Sequence, residues 1–458
     1  MQYFGTDGIR GRVGTAPISV DWILKLGFAL GTVLRQSKVD RPKVLIGKDT
    51  RISGYVFESA LEAGLCAAGV DTILLGPMPT PGVAYLTRTL RVDIGLVISA
   101  SHNLYEDNGI KFFCSEGMKI SSDMEARIEA QLLKPMQMVD SRSLGKASRL
   151  PDAEGRYIEF CKRIVSPSFD LRGFKIVIDC AQGATYRVAP RIFSELGAAL
   201  ICVGVEPDGV NINQGCGSTQ PAMLATKVLA TRADVGIAFD GDGDRVILVD
   251  NEGTVLDGDQ ILYLIARWYQ QKDQLKGPVV GTIMSNFGLA KALEALDIPF
   301  ERVMVGDRYI LQGLQEHGGH LGGEPSGHIL CLDSSSTGDG IIAALKVLEL
   351  LRESEQTLAM LLSDYVQYPQ VLINVPLKKP LSAPNASQQP SSILDEPQFQ
   401  AVLLQAQEAL KGQGRVLVRP SGTEPLLRIM VEGRDPALVA SLAKKLDQSI
   451  SSILEAIS

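Results

Sequence analysis

Asp240, Asp242 and Asp244 alternate with Gly241 and Gly243 at the end of an apolar run, and Ser101 stands in Ala100-Ser101-His102-Asn103 at the end of another. Glycine permits a tight loop, so carboxylates two residues apart can converge on one ion. Three carboxylate oxygens suit Mg²⁺, which favours octahedral oxygen coordination and accepts a phosphate oxygen as a further ligand. An EF-hand calcium loop is a poor match, because Arg245 takes the sixth position, where glycine is needed, and Asn251 the twelfth, where glutamate is needed. A serine after a strand is commonly a cap or turn residue. Here the approaches to the two loops match: Arg91-Val92-Asp93-Ile94-Gly95-Leu96-Val97-Ile98-Ser99 aligns with Arg232-Ala233-Asp234-Val235-Gly236-Ile237-Ala238-Phe239-Asp240, 141 residues on from Arg91 to Arg232. One repeated unit thus carries a hydroxyl in its first copy and three carboxylates in its second. That is the equipment of metal-assisted phosphoryl transfer. His102 and Lys111 are candidates for proton transfer or phosphate stabilisation.

Two further loops are polar. Arg419-Pro420-Ser421-Gly422-Thr423-Glu424-Pro425, with Arg428, reads as a phosphate cradle. Gly422 lets backbone N–H groups converge, Ser421 and Thr423 add hydroxyl donors, and guanidinium forks match phosphate geometry. The same residues also fit an ordinary type I turn between strands. Gly322-Gly323-Glu324-Pro325-Ser326-Gly327-His328 lies between two apolar strands, with Glu324 and Ser326 suited to accept from and donate to sugar hydroxyls. A plain hairpin turn explains it equally well. His317 and His320 are expected on the surface and not as ligands.

The elements that must position these loops are strand–helix–strand units. Val44–Gly47, a helix near Gly54–Ala68 and Thr72–Leu75 form one; Lys175–Ile178, a helix near Thr185–Leu196 and Leu200–Val203 form another. Pro278–Thr282, Leu289–Leu296 and Phe300–Val305 form a third. β-Branched runs alternating with helical periodicity predict an α/β protein of three related domains with mixed, largely parallel sheets. Boundaries are expected near 1–145, 146–255 and 256–367. A smaller C-terminal α+β domain follows over 368–458, with a helix near Asp395–Gly412, strands Val416–Val418 and Arg428–Val431 joined by Arg419–Arg428, and a last helix N-capped by Asp435. Pro376, Pro380, Pro384, Pro390 and Pro397 mark 376–398 as a linker or exposed loop.

A chain of 458 residues is too long for one compact core. Its net charge of −7 argues against non-specific nucleic-acid binding. The seven cysteines are irregularly spaced, so neither a disulfide framework nor a CxxC metal site is expected. No basic segment followed by an apolar one opens the chain, and Trp22–Leu34 is too short to span a bilayer. A cytoplasmic location is expected, with no membrane partner.

Together the motifs resemble the α-D-phosphohexomutase superfamily and, within it, the bacterial phosphoglucosamine mutases. The resemblance runs along the whole chain. It rests on Phe4-Gly5-Thr6-Asp7-Gly8-Ile9-Arg10-Gly11, the Ser101 loop with Asp107–Phe113, Asn211–Asn213 with Cys216–Thr219, the Asp240–Arg245 loop, Val305–Tyr309, the Glu324 loop and Arg419–Thr423. It implies four domains around a central cleft, each giving one loop. It implies a phosphorylated Ser101 that, with Asp240, Asp242 and Asp244, holds Mg²⁺. Glu324 and Ser326 would read the sugar, Arg419, Ser421, Gly422, Thr423 and Arg428 would hold the substrate's non-reacting phosphate, and Arg10, His102, Lys111, Arg245 and His328 would be supporting catalytic or substrate phosphate-binding groups. The activity implied is interconversion of glucosamine 6-phosphate and glucosamine 1-phosphate through a 1,6-bisphosphate, feeding cell-envelope precursors. A phosphomannomutase or phosphoglucomutase is the same-class alternative; an aspartyl phosphatase or a non-enzymatic phosphosugar-binding protein are alternatives of other classes. The partner expected is a small phosphosugar, with a homodimer left open. Leu104, where the family usually has proline, and Pro325, where these mutases commonly have glutamine, depart from the pattern.

Overall fold

In the computed structural model, residues 2–37, 41–377, 394–420 and 426–457 are described, with side chains to Leu454. Three sheets repeat one plan. In the first, Asp107–Cys114, Ile94–Ile98, Lys43–Lys48 and Asp71–Pro77 lie side by side in that order; in the second, Val246–Val249, Val235–Phe239, Lys175–Asp179 and Ala199–Val203 do. In the third the order is Ile329–Cys331, Leu321–Gly323, Val279–Thr282 and Phe300–Val303. Each time the first two strands form an antiparallel hairpin and the remaining pairings are parallel. The sequence match between 91–99 and 232–240 is therefore a match of structural position: both stretches end on the inner strand of the hairpin.

The inner strands Ile94–Ile98 and Val235–Phe239 are buried at every residue. That is why they read as continuous apolar runs instead of alternating ones. Helices Val20–Gln36 and Ile52–Ala67 pack on the first sheet through Ile23, Leu26, Leu30, Leu61 and Leu65. Ile9–Arg12 and Ala147–Arg149 add an edge strand on either side of that sheet. The expected boundary at 145 thus falls just before a strand that still belongs to the first sheet.

Residues 2–285 and 296–364 form one compact unit, and 286–295 with the chain from 365 onward form a second. In the second unit Gln370–Pro376, Leu426–Gly433 and Gly414–Pro420 make an antiparallel sheet, with Leu426–Gly433 in the centre. Helices Pro397–Ala409 and Pro436–Ile457 cover it over a core of Phe399, Leu427, Ile429, Val431, Leu446 and Ile450. Asp435 Oδ1 accepts from Ala437 N at 2.9 Å, so Asp435 caps the last helix as its sequence suggests. The helix Phe287–Glu294 groups with this unit, through a reciprocal pair of bonds between Asn286 and Tyr368. Much of the proline-rich stretch, 378–393, lies outside the described residues. Among those described, no helix is long and apolar enough to cross a membrane.

Candidate active site

The three hairpin turns carry the three loops. Ser101 follows its strand with φ 54°, a left-handed conformation that costs a serine on the order of 1–2 kcal/mol. That twist places Oγ 2.7 Å from Asp240 Oδ2, to which it donates, and 3.3 Å from His102 Nδ1. Serine and carboxylate come from different sheets, 139 residues apart. Gly243, at φ 73°, turns the acidic loop, while a Cβ on Gly241 would sit 2.6 Å from Ser101 O. The alternating glycines are thus needed both for the turn and for the approach of the serine loop.

Asp240, Asp242 and Asp244 are buried, and each offers a carboxylate oxygen within 4.8 Å of the others. Thr80 holds Asp242 from the first sheet's following helix, donating N–H to its carbonyl at 2.8 Å and Oγ1 to Oδ2 at 2.6 Å. Asp242 Oδ1 and Asp244 Oδ1 are buried without a hydrogen-bond partner. Buried, unsatisfied carboxylate oxygens are costly unless a cation meets them. The residues therefore fit a hard divalent ion. Burial, reinforced by Asp244 and Asp242, pushes the Asp240 carboxyl well up from its ordinary range. Asp244 is held well down: Lys111, His328 and Arg245 together outweigh its burial.

Lys111 is almost wholly buried, with Nζ 2.7 Å from both Asp242 Oδ2 and Asp244 Oδ2 and 3.2 Å from Asp7 Oδ2. Burial alone would lower its proton affinity, but the three carboxylates raise it well above normal. Around it the charges close into an alternating ring. Asp7 meets Lys119 at 2.5 Å, Lys119 meets Asp307 at 2.5 Å, Asp307 lies 3.9 Å from His328 Nε2, and His328 Nδ1 lies 3.7 Å from Asp244. Arg10 pairs with Asp7, and Arg245 Nε lies 3.9 Å from Asp244. Arg10 Nε and Arg245 Nε are buried donors with no hydrogen-bond partner, which an anionic oxygen can satisfy.

The two histidines are driven apart. Burial, with the Arg245 and Arg10 charges, lowers His102 to about 4, so it is neutral at pH 7. His328 is raised to about 9, because Asp244, Asp307 and Glu324 overcome its burial, and it is a cation. A raised folded-state value contributes stability that is complete below the unfolded value near 6.5 and is lost as pH rises through about 9. The metal-free protein is therefore expected to lose on the order of a few degrees of Tm between those pH values. In His328→Asn that slope should flatten; equal slopes by calorimetry would contradict the assignment.

Glu324 and Ser326 turn the third hairpin. Glu324 Oε1 accepts from Gly306 N at 2.8 Å and Oε2 from Ser326 Oγ at 3.2 Å. This turn is tied to the acidic loop's strand by Val246 N donating to Gly327 O at 3.0 Å. Ser101, His102, Lys111, Arg10, Arg245, the three aspartates, Glu324, Ser326 and His328 thus all fall in the first compact unit. Arg419 and Arg428 fall in the second. Arg428 lies on a strand as expected, but Arg419 does not sit in the connecting loop: it falls within the strand Gly414–Pro420, directly opposite Arg428 of Leu426–Gly433 in register. The strands run further because the hairpin's residues continue to pair up to Pro420 and Leu427. Like charges so placed repel; burial, and after it the Arg428 charge, lowers the Arg419 guanidinium, and an anion between them would relieve the repulsion. Ser421, Gly422 and Thr423 lie outside the described residues.

One further expectation is corrected. His317 is exposed, but His320 is buried, its ring edge-on to Tyr269 at 5.3 Å, because it leads directly into the buried strand Leu321–Gly323. Asp7, Thr80, Lys119 and Asp307 were given no role by the sequence. Asp7 and Asp307 stand inside two of the motifs singled out, which was the available signal; Thr80 and Lys119 carried none.

A serine poised on a buried carboxylate triad, on a thrice-repeated α/β sheet, defines the class, and family models agree. The four phosphoglucomutase/phosphomannomutase models match in chain order: α/β/α domain I over 1–138, II over 155–253, III over 257–368 and the C-terminal domain over 372–449. The chain belongs to the phosphoglucomutase/phosphomannomutase family. Its similarity extends to a phosphoglucosamine mutase of Chromohalobacter salexigens, 57% identical over 98% of each chain. A phosphoglucosamine mutase of Legionella pneumophila is 55% identical, over 99% of this chain and 97% of that one. Among solved structures, a phosphoglucomutase/phosphomannomutase family protein from Burkholderia thailandensis matches with TM-score 0.78 at 23% identity, covering 98% of this chain and 97% of the other. Aspergillus fumigatus N-acetylphosphoglucosamine mutase, solved with GlcNAc-6P and magnesium, matches with TM-score 0.67 at 17% identity over 98% and 95%. These distant structures share the fold.

Proposed function

We propose that this chain interconverts glucosamine 6-phosphate and glucosamine 1-phosphate through a phosphorylated Ser101. The carrying observation is the Ser101 Oγ–Asp240 bond of 2.7 Å, which sets an alcohol at the edge of a cation-competent triad. The choice of sugar is supported by relatives at 54–57% identity that bear the phosphoglucosamine mutase name.

In the forward direction the P–Oγ bond of phospho-Ser101 breaks as a P–O1 bond to glucosamine 6-phosphate forms, giving the 1,6-bisphosphate. The proton leaves O1, and Ser101 Oγ regains one. The bisphosphate then turns so that its 6-phosphoryl group returns to Oγ; a single nucleophile makes that turn necessary. Neutral His102, with Nδ1 beside Oγ, is the group suited to hold the proton there. Lys111 and His328 stay charged and act as fixed cations near the transferring group. Arg10 and Arg245 offer their free Nε donors to phosphoryl oxygens. Asp240, Asp242, Asp244 and an oxygen of phosphorylated Ser101 would hold Mg²⁺, which when bound offsets charge on the transferred group. Glu324 and Ser326 would read sugar hydroxyls, and Arg419 with Arg428, joined by Ser421, Gly422 and Thr423, the non-reacting phosphate.

Parallel assays decide the substrate. The phospho-enzyme should use glucosamine 6-phosphate with kcat/KM at least about tenfold above glucose and mannose 6-phosphates, the scale of one charge-assisted bond to the amino group. Equal or better use of either neutral sugar overturns the amino-sugar assignment and leaves the transfer chemistry standing.

A further inference from the structure

The Ser101 loop leaves four carbonyl groups near one buried guanidinium. Arg51 is fully buried, at the start of the helix Ile52–Ala67. Its Nη2 donates to Ser101 O at 3.0 Å and Asn103 O at 2.7 Å, and its Nη1 to Asp107 O at 3.1 Å and to Leu104 O. Its Nε donates to Asp49 Oδ2 at 2.9 Å. All five donors of the fork are thereby used, four of them on one loop. Asp49 extends the hold: Oδ2 accepts from Ser99 Oγ at 2.6 Å, and Ser99 Oγ accepts from Ser101 N at 2.9 Å.

A second grip comes from the next sheet. Asn213 Nδ2 donates to Ser101 O and Asn103 O, each at 2.9 Å, so both carbonyls are shared by guanidinium and amide. Asn213 itself has φ 58° and lies against Gly241 of the acidic loop. It therefore touches both the serine loop and the carboxylate loop.

We propose that Arg51 and Asn213 are positioning residues for phosphoryl transfer: Arg51 holds the serine loop in its left-handed shape, and Asn213 sets the distance from that loop to the triad. The inference rests on the role proposed above for Ser101. Lysine has three donors on a single atom and cannot span these carbonyls. Glycine at 213 keeps the positive φ and deletes only the amide.

Arg51→Lys and Asn213→Gly are to be compared with wild type by steady-state kinetics, Mg²⁺ titration and amide hydrogen exchange over 99–108. Misplacement of the nucleophile should lower kcat by about a hundredfold in Arg51→Lys and about tenfold in Asn213→Gly. KM and Mg²⁺ affinity should stay within about twofold, since neither side chain is a ligand, and exchange of the loop amides should quicken. If Arg51→Lys does not fold, Asn213→Gly decides. A folded variant with kcat within about twofold of wild type, or with unchanged loop exchange, overturns the proposal. Wild-type protein inactive on every hexose phosphate would instead defeat the mutase reading, while the exchange data would still report on the clamp.

Discussion

Ser101→Ala is expected to abolish mutase turnover, lowering kcat by at least about 10⁴-fold, as loss of a covalent nucleophile does elsewhere. The fold should survive, because the Oγ bonds only to the side chains of Asp240 and His102, while the loop is held by its carbonyls. Asp240 should then lose a donor and gain proton affinity, since burial already pushes it up. Intact-mass and phosphopeptide measurements on wild type should find one phosphoryl group, on Ser101, and none in the variant. Retention of a tenth of the activity, in protein free of wild type, would remove Ser101 from the mechanism. A phosphoryl group on Asp240 would instead point to an aspartyl phosphatase.

The second large effect is expected at Lys111. Its ammonium lies 2.7 Å from both Asp242 and Asp244 and 3.2 Å from Asp7 in a buried site, so Lys111→Met removes the cation that these carboxylates share. Breaking such a buried arrangement typically costs on the order of 3–5 kcal/mol. Loss of a fixed cation beside the transferring group should lower kcat by roughly 10²–10³-fold. The pH dependence has a definite sign. Asp244 is depressed despite its burial because of Lys111 first, then His328 and Arg245. Its contribution to stability is present above the unfolded carboxyl value and is lost as pH falls through the depressed one. Without Lys111 that lower limit rises, so Mg²⁺ binding measured calorimetrically should begin to fail at higher pH than in wild type. An unchanged acid limb would mean that the ammonium does not govern the triad's charge.

The two reacting loops were legible because their signals are local. Gly241 and Gly243 between carboxylates announce a turn, and the Arg–Asp–Gly register from Arg91 and Arg232 announces a duplicated strand. The third copy of the plan was visible as strands and a glycine-rich turn, but its shared order was not. Leu321–Gly323 is only three residues long and keeps only the glycine of that register, Gly322 opposite Val280 as Gly95 is opposite Leu45 and Gly236 opposite Val177. Arg419 was recognised by type but placed just past the end of its strand, since strand ends depend on partners that a local pattern does not contain. Arg51 and Asp7 were harder still. Arg51 lies 50 residues from the serine whose carbonyl it holds, and Asp7 lies 112 from Lys119. Only the folded sheets bring such residues into one charge network, and an arginine at a helix start reads locally as a solvated cation.

Ser101's left-handed backbone also decides which alcohols are interchangeable there. Threonine would bring the same hydroxyl, but its branched Cβ is strongly disfavoured at a φ of 54°. Its extra methyl would also have to enter a position only 1% exposed. Substitution between two chemically equivalent nucleophiles is therefore blocked by a dihedral angle, and the identity of the phosphoryl carrier is set by the main chain before any reaction begins.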